Sequence, residues 1–186
     1  MVIRYLIRIV IPLILLINFI IGKQNVVTVN DSLFAAKIER DGWGVPHIYG
    51  KRDADVSFGL AYAHAQDDFT TLEDIVFALR GELASKHGRS AAVNDYYVHL
   101  MNYWGIIEDR YESDVADDVK LLCRGYAAGI NKYLLDNPSL KKRSFAPVTA
   151  KDIVVGFSHR MPLMFGLDGV LKNCLLYTSD AADESS

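Results

Sequence analysis

A stretch of small residues between Asp53 and Asp67 constrains the fold of this chain more than any other feature. Apolar positions recur in this stretch at three- and four-residue steps, which is typical of a helix, and Asp53 can cap its first turn. Alternate positions in its second half are glycine or alanine: Gly59, Ala61, Ala63 and Ala65. Because such side chains leave the helix surface flat, we expect close packing against another backbone.

A strand hairpin is predicted ahead of this helix. Residues 33–49 contain two short apolar runs, and the turn sequence Asp41-Gly42-Trp43-Gly44 lies between them. The polar residues 23–32 that come before are predicted to be a linker. We therefore expect the ordered body of the chain to begin near Leu33.

Further helices are predicted beyond the small-residue helix. Thr70 and Glu73 form a capping-box pattern ahead of an apolar run, and residues 91–111 form an aromatic-rich helical stretch. Ser113 can cap the next helix, which is expected to end near Asn137.

A final helix is predicted after the capping-box pair Thr149 and Asp152, and Pro162 is expected to bend or stop it. A strand hairpin followed by about five helices, with no internal repeat, corresponds to the α+β class.

The N-terminal residues have the layout of an export signal. Arg4 and Arg8 precede a nearly unbroken apolar run over residues 9–21, which is shorter than the roughly 20 residues that cross a membrane. Residues 1–22 are therefore predicted to be a signal peptide. An uncleaved anchor stays open as the alternative, because no pair of small residues marks a cleavage site.

The last twelve residues differ from those before them. Residues 175–186 show no apolar period and resemble read-through of non-coding sequence at the end of an assembled fragment. The main body of the chain is accordingly expected to span residues 33–174.

Composition excludes two classes of function. The 23 acidic and 20 basic residues are scattered along the chain and give a net charge of −3, so nothing offers a basic stripe to nucleic acid. Cys123 and Cys174 are too few for a disulfide framework and lack zinc-ligand spacing. We expect no nucleic-acid partner and no metal site from these residues.

The chain lacks the motifs of stand-alone catalytic sites. No nucleophile elbow, zinc-binding histidine pair, phosphate loop or dinucleotide fingerprint occurs in it. Asp67 and Asp68 are adjacent, so on a helix they point about 100° apart and cannot flank one reacting bond. His47 and His64 have no partner at a catalytic spacing, so no catalytic residue is assigned to this chain.

Residues 156–168 are chemically the most informative segment. His159 and Arg160 are followed there by two methionines and a phenylalanine. Flexible thioethers and an aromatic ring can line a pocket for an acyl chain. A core helix with a solvated His-Arg face explains the same residues equally well, and both interpretations stay open.

Two linked motifs resemble the opening of penicillin acylase family precursors. The first is the hairpin motif R-D-x-x-G-x-P-H-I-Y at residues 40–49, and the second is the helix motif A-D-x-x-F-G-x-x-x-A-x-A-Q-D at residues 54–67. L-R-G-E-L-A at 79–84 and G-Y-A-A-G-I-N at 125–131 extend the resemblance. Residues 156–168 are more similar to the lactone and lipopeptide acylase branch.

The resemblance implies an N-terminal-nucleophile hydrolase with an αββα fold. Such a protein is made as one exported precursor that cleaves itself into a short α chain and a long β chain beginning with the catalytic serine. This chain then corresponds to the α-chain portion, is inactive alone, and has the β chain as its partner. The implied localisation is periplasmic or secreted, and membrane contact is expected only through the N-terminal segment.

The substrates implied by the resemblance are N-acylated small molecules: acyl-homoserine lactones first, then β-lactam or lipopeptide amides. The substrate pocket is expected to include His159, Arg160, Met161 and Phe165. No cofactor is expected, although some relatives bind calcium, for which Asp168 is the candidate ligand.

The competing hypothesis is a membrane-anchored helical binding module without catalysis. It predicts an independently stable domain, whereas the acylase hypothesis predicts a broad exposed apolar surface between Leu33 and Asp168 that a β chain covers.

Overall fold

The computed structural model describes residues 25–140, 147–167 and 169–170. A three-stranded antiparallel sheet in the order β1-β2-β3 comes first, formed by β1 (Asn25–Asn30), β2 (Ala35–Arg40) and β3 (Pro46–Gly50). The described residues then form six α-helices: α1 (Asp53–Leu79), α2 (Leu83–His87), α3 (Ala92–Leu100), α4 (Tyr103–Asp114), α5 (Asp117–Asp136) and α6 (Ala150–Met164). Short 3-10 turns cover Gly88–Ala91 and Pro138–Leu140.

Strand β1 corrects the prediction of a linker over residues 23–32. It pairs with β2, so that Val29 lies opposite Ala36 and both side chains are buried. The β-branched run Val26-Val27-Thr28-Val29 favours a strand, and pairing with β2 satisfies its backbone groups. The turn after it is held by Asp31, whose carboxylate accepts hydrogen bonds from the amides of Leu33 and Phe34, both at 2.7 Å.

The predicted hairpin is confirmed as β2 and β3, with Ile38 opposite Ile48. Its turn is built by Asp41, whose carboxylate accepts from the amides of Trp43 and Val45, both at 2.9 Å. Gly44 has a φ of 86°, which a glycine adopts without steric cost.

The first two predicted helices form one kinked element, α1. The break lies at Asp68, whose backbone is non-helical and whose carboxylate accepts from the amide of Thr71 at 3.1 Å. Asp68 therefore begins the second half of α1, and the predicted capping box at Thr70 and Glu73 is wrong. The N-cap of the first half is Arg52 rather than Asp53, and the carboxylate of Asp55 accepts from the Arg52 amide at 3.0 Å and from its Nε at 2.9 Å.

Close packing of the small-residue helix is confirmed by its contact with α5. A Cβ added to Gly125 would lie 2.3 Å from the carbonyl oxygen of Ala54, and one added to Gly129 would lie 2.2 Å from that of Phe58. The two backbones are therefore in direct contact. The buried cluster at this contact contains alanines from both helices together with larger residues: Ala61, Ala65, Leu72, Val76, Phe77, Ala127, Ile130, Leu134 and Val148.

The aromatic-rich stretch is helical but divided. Asn102, at a left-handed φ of 51°, separates α3 from α4. Ser113 lies within the last turn of α4 instead of capping α5, whose N-cap is Ala116, so that predicted cap is wrong. The predicted end of α5 is confirmed, with Asn137 as the C-cap.

The capping box at the start of α6 is confirmed. The carboxylate of Asp152 accepts from the amide and the hydroxyl of Thr149, at 2.7 and 2.8 Å. Pro162 lies inside α6, two residues before the helix ends at Met164. The inner face of α6 packs against α3, α4 and the end of α1, where Val155 is fully buried.

Candidate functional site

Helix α6 carries the predicted pocket residues, and its first turn is fixed to the end of α1. The guanidinium of Arg80 donates to both carboxylate oxygens of Asp152, at 2.8 and 3.0 Å, and to the carbonyl oxygen of Pro147 at 3.0 Å. The Asp152 side chain is 1% exposed. A bidentate pair of this kind fixes direction as well as distance, so it sets the starting point of α6.

The outward side of α6 presents an apolar stripe. We define the stripe by four exposed residues: Phe157, Met161, Met164 and Phe165. The first three lie four and three positions apart, so they share one face of the helix. Phe165 follows the helix end and is 83% exposed. Met161 and Phe165 of the predicted pocket therefore lie together, beside two apolar residues that the prediction did not include.

His159 points the other way. It is 8% exposed and its Nε2 lies 3.0 Å from Oδ1 of Asn94. Its ring packs edge-on against the ring of Tyr97, with centroids 5.4 Å apart. Burial, assisted by the charge of Arg160, lowers the pKa of His159 below its ordinary value. Arg160 itself is exposed.

The four predicted pocket residues therefore do not share one surface of this chain. His159 lies in the contact between α6 and α3, while Met161 and Phe165 lie on the exposed stripe. The solvated His-Arg face of the alternative interpretation is wrong for His159, which is buried, and is confirmed only for Arg160. That these residues bind substrate stays a prediction.

A charged cleft of about 770 Å³ lies at the start of α6. It contains the ion pairs Arg80–Asp152 and Lys151–Glu108 and the aromatic ring of Trp104. Five segments of the chain contribute to it, which is why no local motif indicated it. Because three basic side chains (Arg80, Arg124 and Lys151) and three acidic ones (Glu82, Glu108 and Asp152) line it, the cleft has no excess charge that would select an anion or a cation.

The other polar candidates have structural partners. Nδ1 of His64 lies 2.8 Å from the Tyr126 hydroxyl, and Nε2 of His47 lies 3.3 Å from the Asp41 carboxylate. Asp67 pairs with Arg40 at 2.7 Å.

Two predictions concern residues that the structure does not describe. Asp168, the candidate calcium ligand, lies outside the described residues, within which no group of histidine, cysteine and acidic side chains is arranged to hold a metal ion. The apolar N-terminal run also lies outside them, and no described helix is both long and apolar enough to cross a membrane. The signal peptide, the anchor and the calcium site all stay predictions.

Comparison with known proteins gives matches over this region. The model of the family described as penicillin amidase matches residues 35–169. The acyl-homoserine lactone acylase PvdQ of Pseudomonas fluorescens (strain Pf0-1) is 31% identical over 109 residues, which cover 54% of this chain and 14% of that protein. The penicillin acylase 2 proenzyme of Pseudomonas sp. (strain SE83) is 31% identical over 104 residues, covering 56% and 13%.

A solved structure has the same fold. The thermostable penicillin G acylase from Alcaligenes faecalis superposes with a TM-score of 0.58 at 24% identity, and the match covers 75% of this chain and 75% of that one. The chain spans only about one seventh of the length of the curated relatives that it matches.

Proposed function

The chain belongs to the penicillin amidase family, and from this premise we propose that it is the N-terminal portion of an exported amidohydrolase that acts on N-acylated small molecules. The family resemblance and the N-terminal-nucleophile hydrolase fold inferred from the motifs are confirmed. N-acyl-homoserine lactones are the first substrate class in this proposal, followed by β-lactam and lipopeptide amides. The names of the relatives, an acyl-homoserine lactone acylase and a penicillin acylase, support that order.

The exposed stripe on α6 is the observation that carries the proposal. Four large apolar side chains in contact with solvent are unfavourable for an isolated domain, at about 25 cal/mol for each Å² left in water. A covering chain removes this cost. A pocket between the stripe and that chain would suit the flexible, apolar acyl part of a substrate.

The proposal places the chemistry on a second chain. In the solved relative the matched chain is about as long as this one, since the match covers 75% of each, whereas the curated relatives are several times longer. A separate short chain is therefore consistent with the family, as is the word proenzyme in the name of one relative. The proposed β chain begins with a serine whose own α-amino group acts as the base.

The proposed hydrolysis needs no cofactor. The serine hydroxyl attacks the amide carbonyl, and hydrogen-bond donors of the β chain stabilise the resulting oxyanion. This chain contributes apolar surface to the acyl part of the substrate. The export pattern of residues 1–22 supports a periplasmic or secreted location.

The decisive experiment uses the continuous coding sequence beyond Asp168. The whole precursor is expressed and analysed by mass spectrometry, and we expect two chains, the longer of which begins with serine. Changing that serine to alanine should abolish both cleavage and amide hydrolysis. A precursor that stays in one piece, folds as a stable monomer and hydrolyses no acyl amide would support a binding module instead.

A second experiment tests the stripe. Met161→Glu should reduce kcat/KM for a long-chain acyl-homoserine lactone about 30-fold, because a carboxylate in an apolar pocket costs about 2 kcal/mol. Leu135→Glu is the matched control, since Leu135 is similarly exposed but lies on α5. Equal losses in both variants would refute an acyl-binding role for the stripe.

A further inference from the structure

The half-buried Asn94 connects three helices. From α3, its Nδ2 donates to the carbonyl oxygen of Ala78 in α1 at 2.9 Å, and its Oδ1 lies 3.0 Å from Nε2 of His159 in α6. Because the amide nitrogen is used for the Ala78 carbonyl, the amide oxygen faces the histidine and accepts from it. The orientation of the Asn94 amide is therefore determined, and so is the histidine tautomer: Nε2 of His159 carries the hydrogen that the amide oxygen accepts.

Aromatic rings hold the other faces of His159. The ring centroids of Tyr97 and Tyr103 lie 5.4 and 6.2 Å from that of His159, and the two tyrosine hydroxyls are hydrogen-bonded to each other. The histidine is thus limited in rotation by packing and in translation by the bond to Asn94.

This contact lies opposite the apolar stripe. Met161 is two positions after His159, and two positions on a helix correspond to about 200°. If α6 rotated about its axis and moved His159, Met161 on the opposite face would therefore turn through the same angle.

Helix α6 lacks one backbone hydrogen bond just after this contact. Pro162 has no amide hydrogen, so the carbonyl oxygen of Ser158 has no partner in the helical ladder. The turn that carries Met164 and Phe165 is consequently joined to the rest of α6 by one backbone hydrogen bond fewer than an uninterrupted helix provides. Along α6, His159 makes the last buried polar contact before the proline among the described residues.

We propose that Asn94, acting through His159, is a positioning residue that sets the place of the apolar stripe and thereby the acyl-chain length that the protein accepts. This inference rests on the proposed function and adds the determinant of selectivity to it. Asn94 does not touch the stripe, since its side-chain bonds go to the backbone of α1, to the neighbouring Asp95 carboxylate and to the buried histidine.

The test uses the complete processed protein and two substrates, hexanoyl- and dodecanoyl-homoserine lactone. Asn94→Leu keeps the branched shape and removes the bonds to His159 and to Ala78, whereas His159→Phe keeps a ring and removes only the bond between His159 and Asn94. Each variant should change the ratio of kcat/KM for the two substrates about tenfold, mainly through KM. The double variant should show no larger change than Asn94→Leu alone, because the bond that His159→Phe removes is already absent in Asn94→Leu.

Tyr62→Phe is the matched control. It removes a 3.1 Å hydrogen bond between α1 and α5, from the Tyr62 hydroxyl to Asp136, which does not involve α6. The ratio should stay within twofold of that of the unchanged protein. An equal change in the ratio for Tyr62→Phe would show a general loss of packing and would overturn the assignment.

Hydrogen exchange in the same proteins separates this inference from the proposed function. Asn94→Leu should accelerate exchange about tenfold or more at the amides of Met161 and of residues 163–165, but not at those of residues 153–156. Unchanged exchange and an unchanged ratio would refute the positioning role. Accelerated exchange in a protein that hydrolyses neither substrate would refute the proposed function but would still support the placement of α6 by Asn94.

Discussion

Replacing Gly129 with alanine tests the closest helix contact in the fold. In an exposed helix this change stabilises by about 1 kcal/mol, because alanine has the higher helix propensity. In α5 the new Cβ would lie 2.2 Å from the carbonyl oxygen of Phe58 and 2.8 Å from the Cβ of Ala61. Carbon–oxygen contacts begin at about 3.3 Å, so α1 and α5 must separate by about 1 Å.

The magnitude follows from the nature of the obstacle. A backbone carbonyl cannot rotate away as a flexible side chain can, so the cost is at the upper end of that for overpacking, about 3 kcal/mol. Subtracting the propensity gain leaves a net destabilisation of about 2 kcal/mol. For a domain of this size we expect a decrease in Tm of about 6 °C.

Urea unfolding followed by circular dichroism measures this difference. The midpoint should fall with an unchanged m-value, since the surface exposed on unfolding is the same. Gly156→Ala is the matched control: Gly156 also lies inside a helix, but its nearest obstacle is a methyl group of Leu79 at 3.3 Å, which can move. We expect that control to be neutral or slightly stabilising. If Gly129→Ala is as stable as the unchanged protein, the helices are not in backbone contact and the argument fails.

Three further predictions concern polar groups. The side-chain hydrogen bond from Arg52 lowers the pKa of Asp55 from 3.8 to about 2 in the folded protein. The interaction therefore stabilises the fold fully above pH 3.8, and this stabilisation is lost as the pH falls through 2. Because Arg52 is half exposed, solvent screens the interaction and reduces the stabilisation to about 1 kcal/mol. The acid unfolding of Asp55→Asn should lack this part of the pH dependence. Tyr111→Phe should raise the free energy of unfolding by about 1 kcal/mol in a urea titration, because the Tyr111 hydroxyl is buried without a hydrogen-bond partner among the described residues; a decrease would mean that it has one. Asp152→Ala should lower the free energy of unfolding, measured by thermal denaturation, by about 3 kcal/mol, because it removes a buried ion pair with Arg80 and a helix cap. A loss below about 1 kcal/mol would show that the pair does not fix α6.

Local patterns predicted the elements whose signals are complete within a few residues. The hairpin turn at Asp41, the capping box of Thr149 and Asp152, and the end of α5 at Asn137 were all identified in this way. Each depends on hydrogen bonds between residues close in the sequence, so their chemistry can be recognised without the fold.

The errors arose where two local signals competed. Asp68 and Thr70 can both cap the second half of α1, and Asp68 does so because the backbone bends there. Ser113 is a good cap by residue type, yet α4 continues through it. Strand β1 was missed because its short β-branched run lies between polar residues on both sides, and pairing with β2 is what makes it a strand.

By itself, the sequence determined the class of fold, the family and the helix on which the proposed pocket residues lie, because periodic apolar positions and linked motifs are properties of the chain. Only the tertiary structure decided which way those residues face. His159 is buried because α3 and α4 pack on its side of α6, whereas Met161 lies on the side that stays half exposed. Whether a side chain meets a neighbour or solvent depends on elements distant in the sequence, and no local pattern contains that information.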